Sequence, residues 1–163
     1  MHSKTISVAR GAAAGLIGCV VQAAVGGAES ALFLSEHEDA NFAPRLMDRL
    51  ARDVGTELPL EAEWALGTLF HLGYGAFWGA LYGLADDHFD IPPLIGGAAL
   101  GGVIYGITFP DWGAAVQTEV ERPQHARSRR MSLVVASVTL GFGFATAYTN
   151  HLLKRRPWQH APA

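Results

Sequence analysis

The chain alternates long apolar stretches with short polar ones. Residues 11–28, 64–85, 91–110 and 131–153 contain no Asp, Glu, Lys or Arg, giving runs of 18, 22, 20 and 23 residues. A helix rising about 1.5 Å per residue needs about 20 apolar residues to cross about 30 Å of hydrocarbon. Four such runs, with the charges held in the gaps, predict an all-α integral membrane four-helix bundle. The spans fall at approximately residues 8–34, 62–84, 92–109 and 131–153 of a single domain. The first run, with Lys4 and Arg10 before it and Ala23-Ala24 inside it, has some marks of a secretory signal. It is poor in Leu, however, and its glycine spacing matches the later helices, so it reads as a retained span.

The connections add shorter elements. Glu36, Glu38 and Asp39 make the start of the longest one acidic. Phe42, Leu46, Leu50 and Val54 then recur at intervals of four, with Arg45, Asp48, Arg49 and Arg52 on the other faces. This pattern predicts an amphipathic helix over residues 44–54, lying in the membrane interface or packed on the protein's own loops. Asp86, Asp87, His88, Phe89 and Asp90 read as a tight acidic loop, and Pro92-Pro93 suits the first turn of the third helix. Pro110 ends that helix, and a second polar connection fills residues 111–130.

Composition sharpens the class. Half of the 163 residues are hydrophobic and 17% are charged, below the roughly 25% of an average soluble domain. The net charge of −3 supplies no basic field for nucleic acid. The one cysteine, Cys19, excludes a disulfide within the chain and any cysteine-based metal cluster. It reads as a small buried hydrophobe. Four spans put both termini on one side. Lys4, Arg10, Lys154, Arg155 and Arg156 lie close to helix ends without neighbouring acids, which places the termini in the cytoplasm.

Glycine is abundant, at 19 residues, and much of it is ordered in ridges. Gly67, Gly75, Gly79 and Gly83 share one face of the second helix at multiples of four, with His71 filling the missing step. Gly11, Gly15, Gly18, Gln22, Gly26 and Glu29 follow a three–four spacing on the first helix. Gly97, Gly101 and Gly141 extend the pattern to the third and fourth. Such ridges let helix backbones approach closely within lipid. Two echoes, 11–15 with 97–101 and 72–75 with 140–143, suggest two helical hairpins of like orientation.

The candidate chemistry is confined to polar residues at membrane depth, Gln22, Glu29 and His71. An ionisable residue there is a functional candidate by default. His71 can hydrogen-bond a facing helix, join a proton or solute path with Gln22 and Glu29, or ligate a haem or pigment metal. Haem ligation finds poor partners in His88, His125 and His151. The polar residues can equally be satisfied one by one across helix interfaces. No nucleophile–base pair and no metal-protease spacing is present, so neither an enzyme nor a cofactor is expected.

The run Pro44-Arg45-Leu46-Met47-Asp48-Arg49-Leu50, then His71-Leu72-Gly73-Tyr74-Gly75 and Gly79-Ala80-Leu81-Tyr82-Gly83, resembles the YagU-like bacterial inner-membrane proteins of unknown function. Residues 96–106 and the Pro110-Asp111-Trp112 break fit the same pattern, and the resemblance covers most of residues 8–153. It implies a small helical bundle in a bacterial cytoplasmic membrane and supplies no reaction. Related sequences often carry a second His before the Gly-aromatic-Gly of the last helix, where this chain has Thr139. The sequence therefore leads to a structural or accessory membrane component, with the lipid bilayer, other membrane subunits or a second copy as partners. A proton or small-solute channel or transporter is the alternative, and a haem- or pigment-binding subunit the third reading.

Overall fold

The computed structural model describes residues 2–34 and 42–155. The acidic stretch of residues 35–41 and the tail from residue 156, with Arg156, lie outside them. The elements are α1 (His2–Phe33), α2 (Phe42–Asp53), α3 (Leu60–Phe89), α4 (Pro93–Thr108), α5 (Ala114–Gln117) and α6 (Arg129–Arg155). A 3-10 turn, Gln124–Ala126, precedes α6, and no strand occurs among the described residues. Lys4–Phe33 and Arg129–Arg155 are long and apolar enough to cross a membrane. Helix α4 is apolar but has 16 residues, about 24 Å of helix.

The supposed acidic loop is mostly helix. Helix α3 continues through Asp86, Asp87, His88 and Phe89 and stops at Asp90, whose left-handed φ of 48° turns its N–H onto the Asp86 carbonyl at 2.8 Å. A left-handed residue closing on the preceding turn is a common helix stop. The carboxylates that charge pattern alone assigns to a loop are neutralised by other helices. Arg10 of α1 reaches Asp87 at 2.5 Å and donates through Nε to the Asn150 amide oxygen at 2.9 Å. Asn150 in turn donates to Asp86 at 3.0 Å, and Lys154 donates to Asp86 at 3.2 Å and to Asp90 at 3.0 Å. Asp86 and Asn150 are only 3% and 0% exposed. This network closes one end of the bundle. An unpaired carboxylate there would be strongly destabilising, whereas a paired and hydrogen-bonded one is tolerated.

Between the ends, glycines set the helix spacing. Helices α1 and α3 run antiparallel, and each step of four along one is matched by a step of four back along the other. Ser7 faces Gly83, Gly11 faces Gly79, and Gly15 faces Gly75. A Cβ on Gly79 would stand 2.7 Å from the Gly15 Cα, and one on Gly83 would stand 2.5 Å from the Ser7 carbonyl oxygen. Real side chains never sit that close, so only glycine admits this approach. The carbonyls of Gly75 and Gly79 point at the α-hydrogens of Gly15 and Gly11. Such contacts contribute perhaps 0.5–1 kcal/mol each.

A similar interlock joins α4 to α6. Gly143 stands 2.6 Å, by its missing Cβ, from the Gly101 nitrogen, while Gly97 meets the Phe144 backbone and Gly101 the Leu140 backbone, each at 2.8 Å. Gly18 admits the Phe142 ring and Thr146 from α6. Gly141 differs from the other ridge glycines, since a Cβ there would meet open space, so it takes no part in packing within the chain. Helix α1 packs broadly on both α3 and α6, and α4 packs closely on α6 but meets α3 mainly through the aromatic side chains of the latter. The two expected hairpins, α1 with α3 and α4 with α6, interlock alike, and it is the contacts between them that are unequal: α3 and α4 splay where the counterpart pair, α1 and α6, is tight.

The splay has a cause on α3 itself. Phe70, Tyr74, Trp78 and Tyr82 recur every four residues beside the glycine ridge, with rings in sequence contact at 5.8 and 6.1 Å for the first two steps. Tyr82, Leu100, Ile104, Phe142 and Cys19 form the buried core, against which Tyr74 and Trp78 pack. Helix α3 thus presents a flat face to α1 and a bulky face towards α4.

Two outcomes follow. Gly79→Ala should lower the unfolding free energy in detergent by about 2 kcal/mol, the usual scale of overpacking, whereas Gly73→Ala, into open space, should be neutral or stabilising by up to about 1 kcal/mol. At the charged end, burial alone would raise the Asp87 carboxyl, but the Ser7 hydroxyl, Arg10 and Lys154 outweigh it and hold it below the ordinary 3.8. Its contribution to stability is present above that value and is lost as pH falls through the lowered one. Melting scans should therefore show a steeper loss of stability below about pH 4 in the wild type than in Asp87→Asn.

Candidate functional site

The glycine ladder between α1 and α3 ends at a rung without a glycine pair. Cys19 faces His71, and the Cys19 thiol donates to the His71 carbonyl at 3.3 Å. The His71 imidazole lies near the Cys19 backbone, so the two residues join the helices at this rung. One step further, Gly67 does not meet α1. It receives α2, with the Ala43–Pro44 backbone 2.7–2.9 Å from its missing Cβ. Helix α3 leaves α1 at this point, and the space between them opens.

A cavity of about 840 Å³ fills that space. Its base is formed by Cys19, Gly75, Phe142 and Ile104, and its walls by α1, α3 and α6. Phe42, Ala43, Pro44 and Leu46 of α2 line one side of its outer part, and Ala114, Thr118 and Glu121 line the other. It therefore occupies the half of the bundle remote from the Asp86–Asn150 network. The size lies within the range of small-molecule sites in proteins, and the mixture of apolar walls and few polar groups is usual for them.

Gln22 and His71 line this cavity together. Glu29 does not: it accepts the Ser137 hydroxyl of α6 at 2.6 Å, outside the cavity lining. The supposed path of three polar residues is thus a pair around one cavity plus a separate interhelical bond. Thr139 also lines the cavity, its hydroxyl donating to Val135 of its own helix at 2.6 Å. Across the gap between α3 and α4, the Tyr74 and Thr108 hydroxyls meet at 3.3 Å. Among the described residues, no three His, Cys, Asp or Glu side chains gather as a metal-ligand set.

Glu121 was not singled out by sequence, because nothing in its neighbourhood marks it. Its side chain is 5% exposed, pairs with Arg45 of α2 and lies 3.9 Å from Arg127. Arg127 is itself 2% exposed, donates to the Phe109 carbonyl at 2.7 Å and the Arg122 carbonyl at 2.6 Å, and stands 6.0 Å from the Phe109 ring centre. Arg49 adds a second tie from α2, to Glu119 at 2.8 Å. These pairs fasten α2 to the segment after α5 across the outer part of the cavity. The amphipathic helix read from sequence therefore packs on α3 and is tied to the other long connection. The aromatic ridge was legible in principle, as four aromatic residues spaced by four.

Comparison with protein-family models, with curated proteins and with solved structures finds no match.

The buried Glu121 should matter more than the exposed Glu119. Glu121→Ala leaves Arg127 and Arg45 without their shared carboxylate and should cost about 3 kcal/mol, as for breaking a buried pair. Glu119→Ala should cost less than about 1 kcal/mol, as for an exposed pair. Denaturant midpoints of the two variants in one detergent check the ordering.

Proposed function

We propose that this chain is a four-span integral membrane protein that holds a small, largely apolar molecule inside its bundle without catalysing a reaction on it. The cavity of about 840 Å³ carries the binding reading. Its base is blocked by the core of Tyr82, Leu100 and Phe142, and the charged network lies beyond, so a blind site suits binding better than conduction. The membrane reading draws support from the lateral faces of all four long helices. Leu16, Ile17 and Val20 of α1, Leu69 and Phe77 of α3, Ile95 and Val103 of α4, and Leu133 and Leu140 of α6 are exposed. So much outward apolar surface suits lipid and is uncommon on a soluble monomer. The charged groups gather at the two ends, as the headgroup zones require. The cytoplasmic termini, the bacterial inner membrane and the kinship with YagU-like proteins belong to the same proposal, supported by the basic residues near helix ends and by the quoted motifs.

A second reading, a subunit of a larger membrane assembly, is favoured by Gly73, Gly102, Gly106 and Gly141, which keep open space outside the bundle. Most other ridge glycines are engaged within the chain, which weakens the original ground for that reading.

The binding reading is tested by photolabelling the purified full chain with an aliphatic diazirine. Label should map to cavity-lining residues such as Leu72, Val135 and Val138 and should fall at least about tenfold when Val138→Trp fills the space. Label spread evenly over lipid-facing residues, unchanged by Val138→Trp, would refute an occupied cavity.

A further inference from the structure

We infer that the molecule held in the cavity is a neutral amphiphile, an aliphatic body bearing an uncharged hydroxyl or carbonyl group, and that the Gln22 carboxamide bonds its polar atom. The inference rests on the cavity reading above and goes further by naming the chemistry of the occupant.

The polar groups on the cavity wall differ in what they already bond. The His71 ring lies against the Cys19 backbone at the clasping rung. The Thr139 hydroxyl is held on its own helix, Tyr74 and Thr108 meet each other, and Glu121 is paired with Arg45. Gln22, like Ser30, Trp64 and Thr68 nearer the outer part, has no side-chain hydrogen-bond partner among the described residues, and of these it is the one half-buried at the level of the His71 rung. Its carboxamide carries two donors and an acceptor. A polar group left without a partner in an apolar setting is costly. Placed on the wall of a cavity, it can be satisfied by an occupant.

Charge selects the kind of occupant. Among the described residues, no Lys or Arg lines the cavity, and its one ionisable carboxylate is Glu121 at the outer part. An anionic head would lack a counter-charge and would face that carboxylate. A cationic head would compete with Arg45, already paired there. A neutral hydroxyl or carbonyl meets neither obstacle and matches the carboxamide as acceptor or donor. The apolar remainder would fill the space between Val20, Val134 and Val138. Such a molecule can come from the bilayer, as a neutral lipid, or from outside it, as an apolar solute.

The experiment uses the full chain in detergent with the aliphatic diazirine as label and dodecan-1-ol, dodecane and dodecanoate as competitors. Dodecan-1-ol should displace label from the cavity residues at the lowest concentration and dodecanoate at the highest. Gln22→Leu should keep the label but reduce the advantage of dodecan-1-ol over dodecane by roughly fivefold, the size of one neutral hydrogen bond. Thr139→Val, whose hydroxyl serves its own helix, should leave that advantage unchanged. If Gln22→Leu labels normally and the advantage persists, or if dodecanoate competes as well as dodecan-1-ol, the inference is wrong while the cavity reading stands. If the wild-type cavity takes no label, both fall. Native mass spectrometry of the protein as purified from membranes separates the sources. A neutral lipid retained by the wild type and lost from Gln22→Leu supports assignment to the bilayer. Added dodecan-1-ol bound where no lipid was retained supports a solute.

Discussion

The approach of α1 to α3 is the constraint on which the rest of the bundle depends. Apolar helices associate most closely where small residues let their backbones touch. Gly11, Gly15, Gly75 and Gly79 make that possible over two full turns, with carbonyls of one helix set against α-hydrogens of the other. At Gly11, Gly15 and Gly79 an added Cβ would fall on backbone, and at Gly75 it would fall on the buried Cys19 sulfur. The antiparallel register between the two helices is thereby set, and with it the meeting of Arg10 with Asp87 at one end and of Cys19 with His71 further along.

The same helix explains why the bundle is not uniformly tight. Helix α3 carries glycines on one ridge and Phe70, Tyr74, Trp78 and Tyr82 on the next. The first ridge draws α1 in, and the second holds α4 away, so α4 relies on α6 for close packing. Where the glycine ladder stops, α3 turns its remaining glycine, Gly67, to α2. The cavity lies in the region that results, bounded below by the last rung of the ladder and on one side by α2. Its position therefore follows from where the small residues end, and the polar residues on its wall are those that share a helix face with the ladder but lie beyond its closest contacts.

Much of this arrangement was legible in the sequence. The helices were, because charge-free length and glycine spacing are local properties. The ridge on α3 was also legible, and with it the placement of His71 against protein, since four-residue spacing defines a face without any knowledge of the partner. Helix α3 was drawn too short because Asp86 and Asp87 look like loop residues until Arg10, Asn150 and Lys154 come to them from 64 or more positions away. Glu29 was grouped with Gln22 and His71 because all three follow the α1 and α3 ridges. Helix α1, however, packs on two partners, and past Gly15 the same line of residues meets α6, with Gly18 against Phe142 and Thr146, Gly26 against Val138 and Glu29 beside Ser137. Glu121 and Arg127 were invisible for a different reason. Their burial depends on how an irregular connection folds over the cavity, and no periodicity records that.

The internal echo gains a different meaning from the same register. By sequence, Leu72-Gly73-Tyr74-Gly75 aligns with Leu140-Gly141-Phe142-Gly143, which pairs His71 with Thr139. By contact, Gly143 stands against Gly97 and Gly101 as Gly79 stands against Gly11 and Gly15. The structural counterpart of Gly75 is then Thr139, whose carbonyl lies by Gly101 as the Gly75 carbonyl lies by Gly15. The two interlocks are alike, but the sequence echo is one helical turn out of step with them. On that register the position on α6 equivalent to His71 is Val135, which lines the cavity as an apolar wall. Thr139 is therefore not the vacancy left by a missing histidine partner. It occupies a packing rung, and Cys19 and His71 together form the polar rung at the foot of the cavity.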